Sequence, residues 1–247
     1  MCPAELILDY SHIRSDGRTG FRSEEDSLFV DVKGHFSEFI RPVDYPSLHR
    51  ISVSRTTISL GCYYGLSRSR LEKNSRRLII PLGADSDRLY SFRQMVLFGP
   101  NTEESYVMPT LGNDFTKVIV SFPEGEWDTS LDDYILKALG NTCGIDLRTG
   151  TPLSGPFSCE LRQYDSHSYC FNMPRQEGRD IRVSVLSRKS GEELFVIDLA
   201  SELEKEGYGW TAQNLAPLVV INIDMASLAL DVNVMDWDEV IYFNYEI

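Results

Sequence analysis

The C-terminal segment constrains the fold most strongly, because it alternates apolar and polar residues over two consecutive runs. In the first run, residues 228–234, four apolar side chains fall on one face of an extended strand: Leu228, Leu230, Val232 and Val234. The second run extends from Val240 to Ile247, and Met235-Asp236-Trp237-Asp238 joins the two. This pattern is typical of the half-buried strands that close a β-sandwich.

The rest of the chain is also dominated by strand patterns. Short apolar, β-branched or aromatic runs are separated by Gly, Pro, Asn and Asp clusters. They predict strands at 5–10, 28–32, 52–58, 78–82, 89–98, 117–122, 134–139, 168–173, 181–187, 194–199, 218–224, 228–234 and 240–245. One helix is predicted, from Leu199 to Glu206, with Asp198 as N-cap and Gly207 as stop signal. The fold class is therefore all-β, with Greek-key sandwich domains and one short helix.

A segment rich in turn-forming residues separates the two groups of strands. It extends from Gly140 to Gly155 and contains four glycines in addition to Asn141, Asp146 and Pro152. We interpret this segment as the connection between two domains and place the boundary near Gly150. The predicted domains are an N-terminal β-sandwich at 1–150 and a C-terminal β-sandwich at 151–247.

Charge and hydropathy exclude several classes of protein. The formal net charge is -13 and the sequence pI about 4.8, whereas proteins that follow nucleic-acid phosphates carry an excess of Lys and Arg. No apolar run approaches the roughly 18 residues needed to span a bilayer, and the N-terminus has no hydrophobic core of a signal peptide. The protein is therefore expected to be cytoplasmic, or to have lost an export signal.

The residues that carry catalysis or bind metal ions in other proteins do not form a convincing site. Asp165-Ser166-His167 contains the residue types of a catalytic triad, but neighbours on one turn cannot align nucleophile, base and orienting group. Gly83-Ala84-Asp85-Ser86-Asp87 offers alternate oxygen ligands without the downstream bidentate Glu of a calcium loop, so it is at most a weak cation site. We expect no enzyme activity, no cofactor and no metal ion.

The five cysteines leave one pairing open. Cys159 and Cys170 are placed symmetrically about Tyr164-Asp165 in a predicted hairpin, which would bring their Cα atoms opposite each other at a distance compatible with a disulfide. The alternative is that both are small buried apolar residues.

Four segments together resemble a known family. They are Phe115-Thr116-Lys117-Val118-Ile119-Val120, Gly144-Ile145-Asp146-Leu147-Arg148-Thr149-Gly150, Met173-Pro174-Arg175-Gln176 and Asp236-Trp237. Their order resembles the fimbrillin superfamily, the subunits of type V pili of anaerobic gut and oral bacteria, and within it the accessory anchor and tip proteins. The resemblance implies two transthyretin-like β-sandwich domains, and a role in assembly and adhesion rather than in catalysis.

The resemblance also implies a location and a mode of assembly. Family members are exported through the periplasm as lipoproteins to the outer membrane, where a strand of one subunit inserts into a groove of the next. Cys2 fits the acylated residue, although it is equally compatible with an ordinary terminal cysteine. In the last strand, Ile241, Phe243, Tyr245 and Ile247 share one face and fit a donor strand, although the alternative, that this strand simply pairs within its own domain, is open.

Partners and alternative functions follow from the same features. The expected partners are other pilus subunits, with host or bacterial surface glycans or proteins as adhesion targets. Arg68, Arg70, Lys73, Arg76 and Arg77 form a basic segment in an acidic chain, which would favour head-to-tail contacts or simply be solvated. The main alternative function is a monomeric surface lipoprotein that binds glycans through exposed aromatic residues such as Tyr63, Tyr64 and Tyr106.

Overall fold

A computed structural model shows the architecture of the chain. It describes residues 6–13, 19–20, 36–40, 57–65, 67–72, 77–97, 111–122, 133–147, 149–212, 214–224 and 229–235. Within these ranges the protein consists of β-strands, one short α-helix and a 3-10 turn at Arg68–Arg70. The predicted all-β fold class is confirmed.

The strands are numbered in chain order. They are β1 (Leu6–Ile13), β2 (Thr19–Gly20), β3 (Phe36–Ile40), β4 (Thr57–Tyr64), β5 (Arg77–Ile79), β6 (Tyr90–Leu97), β7 (Gly112–Asn113), β8 (Phe115–Ser121), β9 (Tyr134–Asp146), β10 (Thr151–Glu160), β11 (Arg162–Gln163), β12 (Ser168–Pro174), β13 (Ile181–Ser187), β14 (Glu193–Ile197), β15 (Leu218–Asp224) and β16 (Ala229–Met235). The helix, α1, extends from Leu199 to Lys205.

The strands form three sheets. Sheet A has the order β2-β1-β4-β6-β7, with β3 also paired to β1. Sheet B has the order β10-β9-β13-β14, with β5 also paired to β9, and sheet C has the order β11-β12-β8-β15-β16. The pairing of β8 with β15 is parallel. The other strand pairs whose register is defined are antiparallel.

The chain divides into two compact units. The first contains Met1–Leu66, Leu89–Gly112 and Leu147–Gly150, and the second contains Ser67–Arg88, Asn113–Asp146 and Thr151–Ile247. These units differ from the division at Gly150 that the sequence predicts. The reason is that β8 and β9, which precede Gly150, pair with β12, β15, β10 and β13, which follow it.

The core of the second unit lies between sheets B and C. Leu136 and Val183 of sheet B and Val118, Phe171 and Ile221 of sheet C belong to one apolar cluster, and each is at most 1% exposed. Side chains of a strand alternate between its two faces, so these residues mark the inner faces of a sandwich.

Strand β9 corrects the predicted domain connection. It continues through residues 140–146, and β10 begins at Thr151 after a turn in which Gly150 has a φ of 72°. Gly144 pairs with β5 so closely that a Cβ atom there would lie 2.0 Å from the carbonyl oxygen of Leu78. The glycine that suggested a linker therefore permits close strand contact instead.

Helix α1 forms where its sequence predicts it. Asp198 is the N-cap, and its carboxylate accepts hydrogen bonds from the Ser201 N–H at 3.1 Å and the Ser201 hydroxyl at 2.8 Å. The helix buries Leu199, Ala200 and Leu203 on one face. Gly207, with a φ of 71°, follows the last turn.

The prediction for β16 is confirmed as well. Val232 is buried and Leu230 and Val234 are partly buried against the core, whereas Ala229, Asp231 and Asn233 are exposed. The second predicted C-terminal strand, Val240 to Ile247, lies outside the described residues.

Candidate functional site

The residues that the resemblance assigns to assembly lie outside the described part of the chain. They are Cys2, the predicted lipidation site, and the donor-strand residues Ile241, Phe243, Tyr245 and Ile247. Both assignments remain predictions. The described residues bear on assembly in another way, since association through strands requires an accessible strand edge.

Of the two alternatives for Cys159 and Cys170, the structure shows the second: both thiols are free and buried, and no disulfide joins them. Cys159 lies on β10, opposite Ala138 of β9, whereas Cys170 lies on β12, opposite Arg162 of β11. The predicted hairpin geometry was wrong because the two cysteines belong to different sheets. Burial raises the pKa of the Cys159 thiol to about 12.

Two edges of the sandwich come together at residues 83–87, which we call the edge segment. Its first residue, Gly83, donates its N–H to the carbonyl oxygen of Ser158 on β10 at 2.8 Å. Two residues later, the Oδ1 atom of Asp85 accepts the backbone N–H of Asn172 on β12 at 2.6 Å. The edge segment therefore bridges the edge of sheet B at β10 and the edge of sheet C at β12.

The contact between Asp85 and Asn172 involves both side chains. The amide nitrogen of Asn172 donates to Oδ2 of Asp85 and to the carbonyl oxygen of Ser86, both at 3.1 Å. Arg162 adds an ion pair, with its guanidinium 3.6 Å from Oδ2 of Asp85. A carboxylate and a backbone carbonyl thus satisfy the donors at this position of β12 in place of a neighbouring strand.

Arg70 and Asp87 fix the other end of the edge segment. The Arg70 guanidinium donates to the carbonyl oxygen of Asp85 at 2.7 Å and lies 2.8 Å from Oδ1 of Asp87. The second oxygen of Asp87 accepts the backbone N–H of Ser67 at 2.7 Å. Both carboxylates of the predicted cation loop are therefore bonded to backbone N–H groups and arginines.

The two carboxyls titrate differently from exposed aspartates. Burial raises the pKa of Asp85 above its ordinary value, while the hydrogen bond from Asn172 and the charge of Arg162 act in the opposite direction. Burial likewise raises the pKa of Asp87, against the hydrogen bond from Ser67 and the charge of Arg70. The hydrogen-bond donors and guanidinium groups around them thus offset part of the cost of burying two carboxylates.

Sequence reasoning identified the edge segment but assigned it the wrong partners. Asn172, which it missed, is a polar residue in the centre of the otherwise mostly apolar strand β12, where all residues are buried. A buried amide of this kind requires a hydrogen-bonding partner. That requirement is the signal that could have pointed to a polar contact at β12.

The other described edges of the sandwich have a different character. Among the residues that the structure describes, sheet B ends at β14 and sheet C at β16. On β14, the side chains of Leu194 and Val196 are 49% and 44% exposed. An edge strand with exposed apolar residues is a suitable surface for association.

The remaining motifs do not form a catalytic arrangement. Asp165 accepts the backbone N–H of His167 at 2.8 Å, while the His167 ring lies 2.7 Å from the Ser166 hydroxyl. The aspartate thus accepts a backbone N–H of its own turn, and three consecutive residues on one turn cannot align nucleophile, base and orienting group. Within the described ranges, acidic, Cys and His residues form no group suited to hold a metal ion, and no helix has the length and apolar character to span a membrane.

Tyr63 does not provide the exposed aromatic surface that a glycan site would use. It is 3% exposed, its hydroxyl donates to the carbonyl oxygen of Leu147, and the Arg93 guanidinium lies 5.6 Å from its ring centroid. The side chains of Tyr64 and Tyr106 are outside the described part. The predicted role of Tyr63 was therefore wrong, because the first unit buries its ring.

Comparisons with known proteins show which solved structures share this architecture. The sequence matches no protein-family model, and no curated protein is similar to it. Among solved structures, a protein of Bacteroides thetaiotaomicron proposed to bind polysaccharides superimposes with a TM-score of 0.61 at 14% identity, over 96% of this chain and 92% of the other.

Two further structures cover nearly the whole chain. A protein of Bacteroides thetaiotaomicron proposed to be an adhesin has a TM-score of 0.58 at 10% identity, over 94% of this chain and 88% of the other. The fimbrial anchor protein Mfa2 from Porphyromonas gingivalis has a TM-score of 0.53 at 13% identity, over 94% of this chain and 90% of the other. The chain thus shares the fold of these proteins, in agreement with its resemblance to the fimbrillin superfamily.

Proposed function

We propose that the chain is a fimbrial subunit, an anchor or tip component that takes part in pilus assembly and cell adhesion. The observation that carries this proposal is the fold shared with a fimbrial anchor protein and a proposed adhesin over 94% of the chain. Fold alone does not determine function. The sequence resemblance, which rests on separate evidence, agrees with it.

Assembly would proceed by strand exchange, with the C-terminal strand as donor. In an extended strand Ile241, Phe243, Tyr245 and Ile247 would insert into the groove of a neighbouring subunit while the backbone completes its sheet. The alternation observed in β16, directly before this segment, supports a strand-forming C-terminus. The partners are other pilus subunits and the surfaces to which the pilus adheres.

The proposed location is the outer membrane and the cell-surface fimbrium. Acylated Cys2 would attach the subunit after export through the periplasm. Mass spectrometry of the protein isolated from membranes tests this point, since acylation adds the mass of the lipid to the N-terminal peptide. An unmodified Cys2 in membrane-bound protein would contradict the lipid anchor without affecting strand exchange.

A substitution on one face of the donor strand tests the assembly mechanism. Replacing Ile241 and Phe243 together with asparagine should abolish SDS-resistant multimers, because polar side chains cannot fill an apolar groove. The matched control replaces Val240 and Tyr242, on the opposite face, with asparagine. It should leave multimers intact.

The two variants also separate a donor strand from a strand of the same domain. If the Ile241/Phe243 variant loses multimers and unfolds at an unchanged temperature, the strand acts between subunits. If it unfolds at a much lower temperature and the wild type never forms multimers, the strand pairs within its own domain and the assembly mechanism is refuted.

A glycan-binding surface lipoprotein is the second candidate function. It is favoured by the similarity to a protein proposed to bind polysaccharides, and by Tyr164, which is 37% exposed and has the Lys117 ammonium 4.0 Å from its ring centroid. An aromatic face beside a polar donor is suited to a sugar ring. Binding would raise the unfolding temperature with added polysaccharide, and Tyr164→Ala should remove that increase.

A further inference from the structure

We propose that Lys117 and Asn172 form an isopeptide bond within the chain, in which the Lys117 nitrogen replaces the side-chain amide nitrogen of Asn172. The reaction joins strands β8 and β12 covalently, with Asp85 as the proton carrier. This inference goes beyond the proposed function and does not depend on it, because it rests on contacts within the second unit alone.

The two reacting side chains are neighbours across adjacent strands. Lys117 on β8 and Asn172 on β12 are direct partners in an antiparallel pair, so their Cβ atoms lie about 4.5–5.5 Å apart on the same face of sheet C. The Lys117 ammonium lies 4.0 Å from the ring centroid of Tyr164. Because the lysine stem is long and flexible, rotation of this side chain alone can bring its nitrogen to the Cγ atom of Asn172.

The side-chain amide of Asn172 is fixed on one side and unsatisfied on the other. The residue is 4% exposed, and its amide nitrogen donates to Oδ2 of Asp85 and to the carbonyl oxygen of Ser86, both at 3.1 Å. Within the described part of the chain, its Oδ1 atom has no hydrogen-bond partner. A buried acceptor without a partner is unusual in a folded protein. Here the carbonyl group of the amide remains available to the Lys117 amine.

Asp85 lies where the reaction needs a proton carrier. Its Oδ2 atom contacts the nitrogen that leaves, and burial raises the pKa of this carboxyl, so that it takes up a proton more readily than an exposed aspartate. The carboxylate accepts a proton from the Lys117 ammonium, and the neutral amine then attacks Cγ of Asn172. The carboxyl returns the proton to the departing nitrogen.

Atoms and charge balance in this step. The bond from Cγ of Asn172 to the lysine nitrogen forms, and the bond from Cγ to the amide nitrogen breaks. The lysine nitrogen gives up two protons in all, and both leave with the amide nitrogen as ammonium. The reaction therefore needs no oxidant, reductant or further reactant.

The surroundings of the two side chains contain little water. Ile119, Cys170 and Leu218 form a buried cluster, and each is at most 4% exposed. Leu218 is the partner of Lys117 on β15, and Cys170 precedes Asn172 by two residues on β12. A site of this kind limits competition by water for the amide carbon.

Mass spectrometry of the folded recombinant protein tests the bond. The intact mass should be lower than the sequence mass by one molecule of ammonia, and a digest should contain a species that joins the Lys117 peptide to the Asn172 peptide. Lys117→Arg keeps the positive charge but should restore the full mass and lower the unfolding temperature. The matched control is Lys137→Arg, at an exposed lysine of β9 in sheet B, which should keep the ammonia loss.

Replacing Asp85 with asparagine tests the proton carrier. The amide oxygen of asparagine can still accept the Asn172 N–H, but the side chain cannot cycle a proton. Loss of a positioned acid–base group slows a reaction by about 100-fold or more, so this variant should be purified largely without the cross-link. If it does not fold, Lys117→Arg still carries the test, because that substitution leaves the edge segment unchanged.

Three results would contradict this inference. A folded wild-type protein with the full sequence mass would overturn the bond. An ammonia loss that persists in Lys117→Arg would also overturn it, because the loss would then come from another reaction of asparagine, such as succinimide formation. An Asp85→Asn protein that is cross-linked as completely as the wild type would refute the role of Asp85. The test of strand exchange uses Ile241 and Phe243 and is independent of all three results.

Discussion

Replacing Thr116 with valine is expected to lower the free energy of unfolding by about 2–6 kcal/mol. The Thr116 hydroxyl is 0% exposed and lies 2.7 Å from the carbonyl oxygen of Ala216 and 2.5 Å from the hydroxyl of Tyr208. A carbonyl only accepts, so Thr116 donates to Ala216 and must accept from Tyr208. Valine preserves the shape but leaves two buried groups without a partner, and each costs about 1–3 kcal/mol.

Tyr208→Phe provides the comparison, because it removes only one of the two hydrogen bonds. Thr116 still donates to Ala216, so the expected loss is about 0.5–1.5 kcal/mol. In the double variant the Tyr208 hydroxyl is absent, so only the Ala216 carbonyl loses its partner. The combined loss should therefore be smaller than the sum of the single losses by about 1.5–4.5 kcal/mol. Thr116→Ser is the control, because it keeps the hydroxyl and therefore both hydrogen bonds.

Urea unfolding followed by circular dichroism at neutral pH measures these differences. Burial raises the pKa of Tyr208, so its hydroxyl remains protonated throughout and can donate. If Thr116→Val were no more destabilising than Tyr208→Phe, or if the two losses simply added, the assigned direction of this hydrogen-bond chain would be refuted.

Three further variants or measurements test individual parts of the second unit. Asp198→Ala removes the N-cap of α1 and should lower the free energy of unfolding by about 1 kcal/mol in urea at pH 7. The hydrogen bonds from Ser201 hold the pKa of Asp198 below 3.8, so this stabilisation is present above pH 3.8 and is lost as the pH falls through the lowered pKa. At that low pH the variant and the wild type should be equally stable. Phe171→Ala should cost about 3–5 kcal/mol, because the ring is 0% exposed in the core, and a smaller loss in urea unfolding would mean that the site collapses around the cavity. Cys159, with its pKa raised to about 12, should react with iodoacetamide far more slowly in native than in urea-unfolded protein at pH 8, and equal rates would show that it is not buried.

Local sequence patterns predicted individual elements well. Strand β13 has the predicted bounds, Ile181–Ser187, and α1 follows its predicted N-cap, Asp198. Both depend on interactions between residues close in sequence: the alternation of a half-buried strand and the hydrogen bonds of a capped first turn. The sequence resemblance likewise predicted the fold class.

Predictions that required knowledge of distant neighbours failed more often. Cys159 and Cys170 are close in sequence and chemically suited to a disulfide, but they pair with different strands of different sheets. The alternating carboxylates around Asp85 indicate at most a weak cation site and no protein partner. The actual partner of Asp85, Asn172, is 87 residues away, and no local pattern encodes such a pairing.

The amino-acid sequence by itself determined many of the strands, where the helix begins and that the protein is all-β, because periodicity and capping act over a few residues. It did not predict β10 or the second half of β9. Only the tertiary structure decided which strands share a sheet, including the parallel pairing of β8 with β15, and which edges are closed. Gly144 shows the reason: a glycine can equally end an element or allow a second strand to approach, and its role depends on whether β5 packs there.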